Sequence, residues 1–264
     1  MLQNLYTNQL SRIHQLDARV KLLFTLAFIL FLNLTPHQAW GSYLLFWSLI
    51  ITLVLLSRIN PALVMKRALI CLPFVLAAFP LVFAGPSPRV PIFLPRGMMI
   101  HYSPEGLGRF ISIAVKSWIS VQAAVLLTAT TDIPDLLTSL QQLKIPPVFT
   151  AIISLMWRYL FVIMDEVRRL LRARSSRTAA GCGKKHAGGS IFWRARTTGG
   201  MAGSLFLRSL ERSDRVYAAM LSRGYTGELP ASEAAALPRN QKWILLASIL
   251  GLSILSLYGF LTGG

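Results

Sequence analysis

Acidic residues are scarce in this sequence: 10 Asp and Glu stand against 27 Lys and Arg, a formal net charge of +17. The few carboxylates form no acid–base pair and join no nucleophile triad, which removes the usual signature of a hydrolytic enzyme. Asp17, Asp132 and Asp135 instead flank apolar runs, where helix caps and interface pairs are common. Cysteine is scarcer still. Cys71 lies in an apolar run and Cys182 among glycines, so there is neither a disulfide framework nor a thiolate zinc site. The four histidines, His14, His37, His101 and His186, have no partner three or four residues away, which excludes a local metal cage. After the first apolar run, "NLTPHQAW" lacks the small-residue pattern of a signal-peptide cleavage site, so that run is expected to stay.

Apolar residues, by contrast, are abundant. They make up 54% of the 264 positions, with a mean hydropathy of +0.54, above the roughly 45–50% of soluble domains. Runs of spanning or near-spanning length fall at about Val20 to Leu34, Trp40 to Leu56, Ala68 to Phe83, Phe110 to Thr130 and Trp243 to Leu261. The third contains Pro73 and Pro80 and predicts a kinked, internally packed helix. A sixth run, Pro147 to Ile163, has Arg158 near its middle and passes without a turn signal into "DEVRRLLRARSSR". It reads as one helix from Pro147 to Arg177, about 46 Å long at 1.5 Å per residue, with Pro146 and Pro147 placed to start it.

Charge placement bears on topology. With the N-terminus inside, Arg12, Arg19, Lys21, Arg58, Lys66 and Arg67 are cytoplasmic and the link "TPHQAW", without Lys or Arg, is outside. Arg89, Arg96 and Arg109 run against this pattern. The block from Asp165 to Arg239 holds fourteen Lys and Arg and six acids. Five crossings keep that block inside and put the C-terminal end outside; six would expel it.

Within the block, "GCGKKH" fails as a phosphate loop: Thr178 stands where glycine is needed, Lys185 where the hydroxyl should be, and no strand precedes it. Small residues from Ala179 to Gly203 read as a flexible link. The segment from Ser204 to Gly224 then reads as an amphipathic helix, with Phe206, Leu210, Tyr217 and Met220 on one face and Arg208, Arg212 and Arg215 elsewhere. Ion pairs are expected between Asp165 and Arg169 and between Glu211 and Arg215. Outside the block, the segment Met98 to His101 is the one soft-ligand cluster. A hydrophobic loop docking on membrane or partner is the plainer reading, and contact with a transit metal is the other.

Two short elements then point to a family. "HQLDARVKLLFTLAF", His14 to Phe28, resembles the opening of the transmembrane T component of energy-coupling factor transporters, in which an L-D-x-R-x-K segment starts the first span. "RARSSR" and "LSRGYTGE" resemble that family's two x-Arg-x coupling motifs, and the last third is most similar to the cobalt and nickel branch, the CbiQ type. The resemblance implies an all-α integral membrane protein with about five transmembrane helices and long cytoplasmic coupling helices. It divides the chain into a four-span domain, 1–146, coupling helices, 147–240, and a last span, 241–264.

By the same resemblance the coupling residues are Ala173, Arg174, Ser175, Ser222, Arg223 and Gly224, with Ser175 replacing the commoner Gly and Ser222 the commoner Ala. The partners implied are two ATPase subunits, which would hold the ATP and Mg, and a separate membrane subunit that captures the substrate. This chain itself is expected to carry no catalytic or metal-binding residue and no cofactor. An arginine fork can engage carboxylates and helix-end carbonyls with fixed geometry. Other basic residues, notably Lys184 and Lys185, suit a solvated link or anionic lipid headgroups. The expectation is therefore the energy-coupling subunit of a cobalt or nickel importer in a bacterial or archaeal plasma membrane. The alternatives are a T component for another substrate such as a vitamin, or a membrane-anchored nucleic-acid binder. The second wants bases stacked among the charges, and only five aromatics lie in the block, so nucleic acid is not expected as a partner.

Overall fold

The computed structural model describes residues 11, 13–84, 90–93, 99–143, 145–177, 190–226 and 237–263. These residues form ten α-helices and one two-stranded hairpin: α1 Ala18–Leu34, α2 Trp40–Leu56, α3 Pro61–Ala68, α4 Leu72–Leu76, α5 Leu81–Ala84, β1 Val90–Phe93, β2 Met99–Tyr102, α6 Pro104–Thr130, α7 Ile133–Gln142, α8 Pro147–Arg177, α9 Ile191–Leu221 and α10 Arg239–Gly263. The chain divides into two compact units, residues 1–139 with 235–264, and residues 140–234.

In the first unit two of the three aspartates bond a helix start, while Asp135 lies within the first turn of α7. Asp17 accepts the Arg19 backbone N–H at 3.0 Å to open α1, and Asp132 accepts that of Ile133 at 2.8 Å ahead of α7. Each long helix turns one face inward, at the spacing a helix dictates. The inward residues are Thr25, Phe28 and Leu32 on α1, Tyr43, Phe46, Ile50 and Val54 on α2, Ile119, Ala123 and Leu126 on α6, and Leu252, Ser256 and Gly259 on α10. Phe28 and Phe46 meet edge to face, ring centroids 5.4 Å apart, and both are fully buried. The opposite faces expose Leu26, Leu30, Leu44, Leu55, Ile254 and Leu257, the reverse of a water-soluble surface. Helices α6, α8 and α10 are long and apolar enough to cross a membrane, and α2 is a shorter apolar helix. The protein is an α-helical, multi-pass integral membrane protein.

Two glycines of α10, four residues apart, allow close approach of α2. A Cβ on Gly259 would stand 2.9 Å from Ser42 Oγ, and one on Gly263 2.9 Å from the Ala39 backbone nitrogen.

Two features depart from the sequence reading. The third apolar run is not one kinked helix. It is broken into the end of α3, a 3-10 turn at Leu69–Cys71, α4 and α5, with prolines at 73 and 80 each removing a backbone donor from the helical ladder. Nor is it internally packed throughout, because Ile70, Phe74 and Leu76 face outward. The second departure is the hairpin, antiparallel with Val90 opposite Tyr102 and Phe93 opposite Met99, in a region read as loop. Met98 lies outside the described residues.

Candidate functional site

The second unit is built on α8 and α9, each 31 residues long. Proline at the first position of α8 fits the helix start, where its missing N–H costs nothing. The helix changes character at Asp165, from an apolar half to a strongly basic one. Ser190 caps α9 by accepting the Trp193 N–H at 3.3 Å. Helix α9 thus begins thirteen residues before the amphipathic segment expected from Ser204, and Gly199, Gly200 and Gly203 are helical, not part of a flexible link. The link residues 178–189, with Cys182, Lys184, Lys185 and His186, lie outside the described residues.

Two contacts show that α8 and α9 pair antiparallel. Arg174 Nη1 donates to Thr198 Oγ1 at 3.0 Å, and Arg208 Nη1 donates to Glu166 Oε1 at 2.7 Å. The second oxygen of Glu166 accepts from Arg169 on its own helix. The hydrogen bond from Arg208, with Arg169 beside it, holds the Glu166 carboxyl below the usual carboxylate range. Asp165 pairs with Arg168 at 3.6 Å, and Arg169 goes to Glu166, so the expected Asp165–Arg169 pair is replaced by two pairs at i, i+3. Among the described residues, Glu211 and Arg215 form no ion pair within 4.0 Å.

A groove of about 500 Å³ runs between the helices, walled by Leu155, Tyr159 and Val162 of α8 and by Leu205, Arg212 and Val216 of α9. The face that α9 turns to α8 matches the one that composition selected only in part: Tyr217 and Met220 also line the groove, whereas Phe206 and Leu210 do not. Phe206 and Tyr217 remain 62% and 57% exposed, and Leu210 is exposed with them. Phe206 and Leu210 point outward, and the Glu166–Arg208 bridge lies about 12–15 Å along the shared interface from the Arg174–Thr198 contact.

The two x-Arg-x motifs occupy opposite ends of this pair. Ala173, Arg174 and Ser175 sit in the last turns of α8, which continues to Arg177. Ser175 Oγ donates to the Arg172 carbonyl at 2.7 Å within the helix, so a helix-ending glycine is not needed where serine stands. The second motif does end its helix. Gly224 adopts φ +80°, Tyr225 N–H donates to the Met220 carbonyl and Gly224 N–H to that of Leu221, each at 3.0 Å. This is a Schellman stop, which glycine satisfies without strain. Ser222, Arg223 and Gly224 are all exposed, while Arg174 is half-buried. Thr198 and Glu166 were not singled out by the sequence. Glu166 has one local sign, a carboxylate amid basic residues, whereas the partnership of Thr198 is set only by how the helices cross. Among the described residues, no three His, Cys, Asp or Glu side chains gather into a metal-sized group.

Comparison with known proteins bears on this arrangement. The sequence profile of the CbiQ family, described as cobalt transport protein, matches residues 9–233. An energy-coupling factor transporter transmembrane protein EcfT of Thermanaerovibrio acidaminovorans is 29% identical over 264 residues, covering 95% of this chain and 91% of its own. An EcfT of Ruminiclostridium cellulolyticum is 28% identical, covering 82% and 80%. A fused cobalt transport protein CbiMQ of Methanocorpusculum labreanum is 26% identical over 92% of this chain and 40% of its own, longer one. With the helical membrane unit, the paired long helices and a profile match over most of its length, the chain belongs to the CbiQ family, the transmembrane energy-coupling components of ECF transporters.

Proposed function

We propose that this chain transmits the motion of two ATPase subunits to a substrate-capturing membrane subunit, with Arg174 and Arg223 as the two points of engagement. The observation that carries the reading is their placement. From Thr198, where Arg174 touches α9, to Arg223 is 25 residues, roughly 37 Å of helix, so one stiff helix pair presents the two arginines to two separate partners. Ala173, Ser175, Ser222 and Gly224 set the backbone around them. ATP and Mg belong to the ATPase subunits, and this chain acts as a non-catalytic permease subunit. Cobalt or nickel is the substrate, a reading supported by the family description and by the fused cobalt relative. The EcfT names carry no substrate and favour a second reading, a T component serving another solute such as a vitamin.

The proposed topology has five crossings, with the N-terminus and the α8–α9 unit cytoplasmic, residues 147–240 as the coupling part between membrane segments 1–146 and 241–264, and Gly263 outside. A cysteine at Gly263, with Cys71 and Cys182 replaced, should be labelled from outside intact cells; labelling only from the cytoplasm would rule the five-span count out.

The decisive experiment concerns the arginines. Removing one partner of a desolvated charge pair costs about 2–5 kcal/mol, against roughly 0–1 for an exposed arginine. Arg174→Glu and Arg223→Glu should insert in the membrane yet lose ATPase copurification and transport, the double variant more so, while Lys184→Glu should be mild. Full transport and full copurification by the double variant would sink the coupling assignment.

A further inference from the structure

The L-D-x-R-x-K segment contains a lysine that the coupling role does not use. Asp17 caps α1 and lies 3.8 Å from Arg19 Nε, so the aspartate acts locally. Lys21 does not. Its Nζ donates to the carbonyl of His14 at 3.0 Å and, 109 residues along the chain, to that of Thr130 at 3.1 Å. Thr130 is the last residue of α6, and the end of a helix leaves carbonyls without intrahelical donors.

The other end of the same helix pair repeats this arrangement in reverse. Lys116, within α6, donates through Nζ to the carbonyl of Thr35 at 2.6 Å and that of Asn33 at 3.2 Å. Thr35 is the C-cap of α1. The ammonium also sits 5.6 Å from the centre of the Tyr43 ring, whose hydroxyl donates to the Pro36 carbonyl at 2.6 Å in the same turn. Neither α1 nor α6 has a basic residue in its own last turn, the usual complement to the negative end of a helix. Each receives that cation from the other. The intervals agree: Lys21 to Thr35 and Lys116 to Thr130 are both 14 residues, about 21 Å of helix. Lys21 is 9% exposed, and lysine in a spanning segment is costly unless its donors are used.

We infer that Lys21 and Lys116 form a reciprocal clamp, in which each lysine caps the C-terminus of the opposite helix and together they fix the register and depth of α6 against α1. A slide of one helical turn, 5.4 Å, would break both ends at once. The lysines are thus positioning residues of the membrane unit.

The clamp predicts end-specific effects, which a general loss of packing would not give. In the full chain in lipid nanodiscs, with Cys71 and Cys182 replaced by alanine, spin labels at Leu26 and Thr128 report one end and labels at Leu34 and Ile111 the other. Lys21→Met should broaden the first distance distribution alone, and Lys116→Met the second alone. Lys→Arg at either site should keep both narrow, and the double Met variant should broaden both and melt several degrees lower. Unchanged distances at a mutated end, or arginine broadening as much as methionine, would overturn the clamp. A measurement on the unsubstituted chain guards against variants that do not fold. Nitrogen-15 lysine spectra should show two ammonium groups exchanging with solvent far more slowly than exposed Lys66, and uniform fast exchange would equally overturn it.

Discussion

The two units of this chain solve the problem of stability differently. The first buries one face of α1, α2, α6 and α10 in a common core, from Phe28 and Phe46 to Leu252, and turns its remaining leucines to lipid. The second has the two longest helices of the described chain, yet only Thr150 and Ala151 are buried on α8 and nothing on α9. Its exposed Phe206, Leu210 and Tyr217 alternate with arginines, a surface suited neither to pure lipid nor to pure water. A helix pair with so little core has little packing of its own to keep it ordered, whereas a helix bundle with its own core holds its shape.

Substitutions that act oppositely on the two units would sharpen this contrast, and any that act alike would break it. The largest effect is expected in the bundle: Phe46→Ala empties a fully buried site against Phe28 and should cost about 3 kcal/mol in detergent melting, while Phe206→Ala in α9 should leave the isolated chain near its parent. Next comes Gly106→Ala. A Cβ there would stand 2.4 Å from the Leu81 carbonyl oxygen, so the substitution should cost about 1–3 kcal/mol. The same exchange in α9 should have the opposite sign. At Gly199 and Gly200 a Cβ meets nothing within 4 Å, so alanine should stabilise the helix by about 1 kcal/mol each, read as helical content by circular dichroism.

The smallest effect belongs to Glu166. Its folded-state carboxyl is held below its ordinary value, so its contribution to α8–α9 pairing is fully present above the ordinary carboxylate range and lost as pH falls through the depressed value. Spin labels at Met164 and Ser213 should therefore keep one separation from neutral to mildly acid pH and spread only in stronger acid, and Glu166→Gln should flatten that response. Spreading that begins near neutrality would contradict this account.

Much of the architecture can be read from the residues themselves. Pro147 and the unbroken pattern to Arg177 delimit α8, because a proline start and the absence of turn residues are local facts. The membrane faces follow likewise from apolar spacing. The N-terminal half of α9 was hidden because three glycines carry a weak helical preference that context overrides. The face of α9 was assigned only in part: Tyr217 and Met220 line the groove toward α8, but Phe206 and Leu210 are turned outward, and which of them meets α8 depends on contacts such as that of Glu166 with Arg208, 42 residues apart. The motif arginines were legible as residues, and the contact of Arg174 with Thr198 was not. Contacts of Lys21 and Lys116 with carbonyls on other helices depend on chain topology, on which composition and periodicity are silent.

The membrane unit is discontinuous: α10 returns to it after the whole of residues 140–234 has intervened. During synthesis at about 5–20 residues per second, those 95 residues take roughly 5–20 s to emerge. Throughout that interval Ser42 and Ala39, against which Gly259 and Gly263 later close, lack their partner helix. Insertion of this protein is thus a timed event, and a slow or stalled ribosome within the α8–α9 segment would leave an unfinished bundle in the bilayer, a natural substrate for membrane quality control.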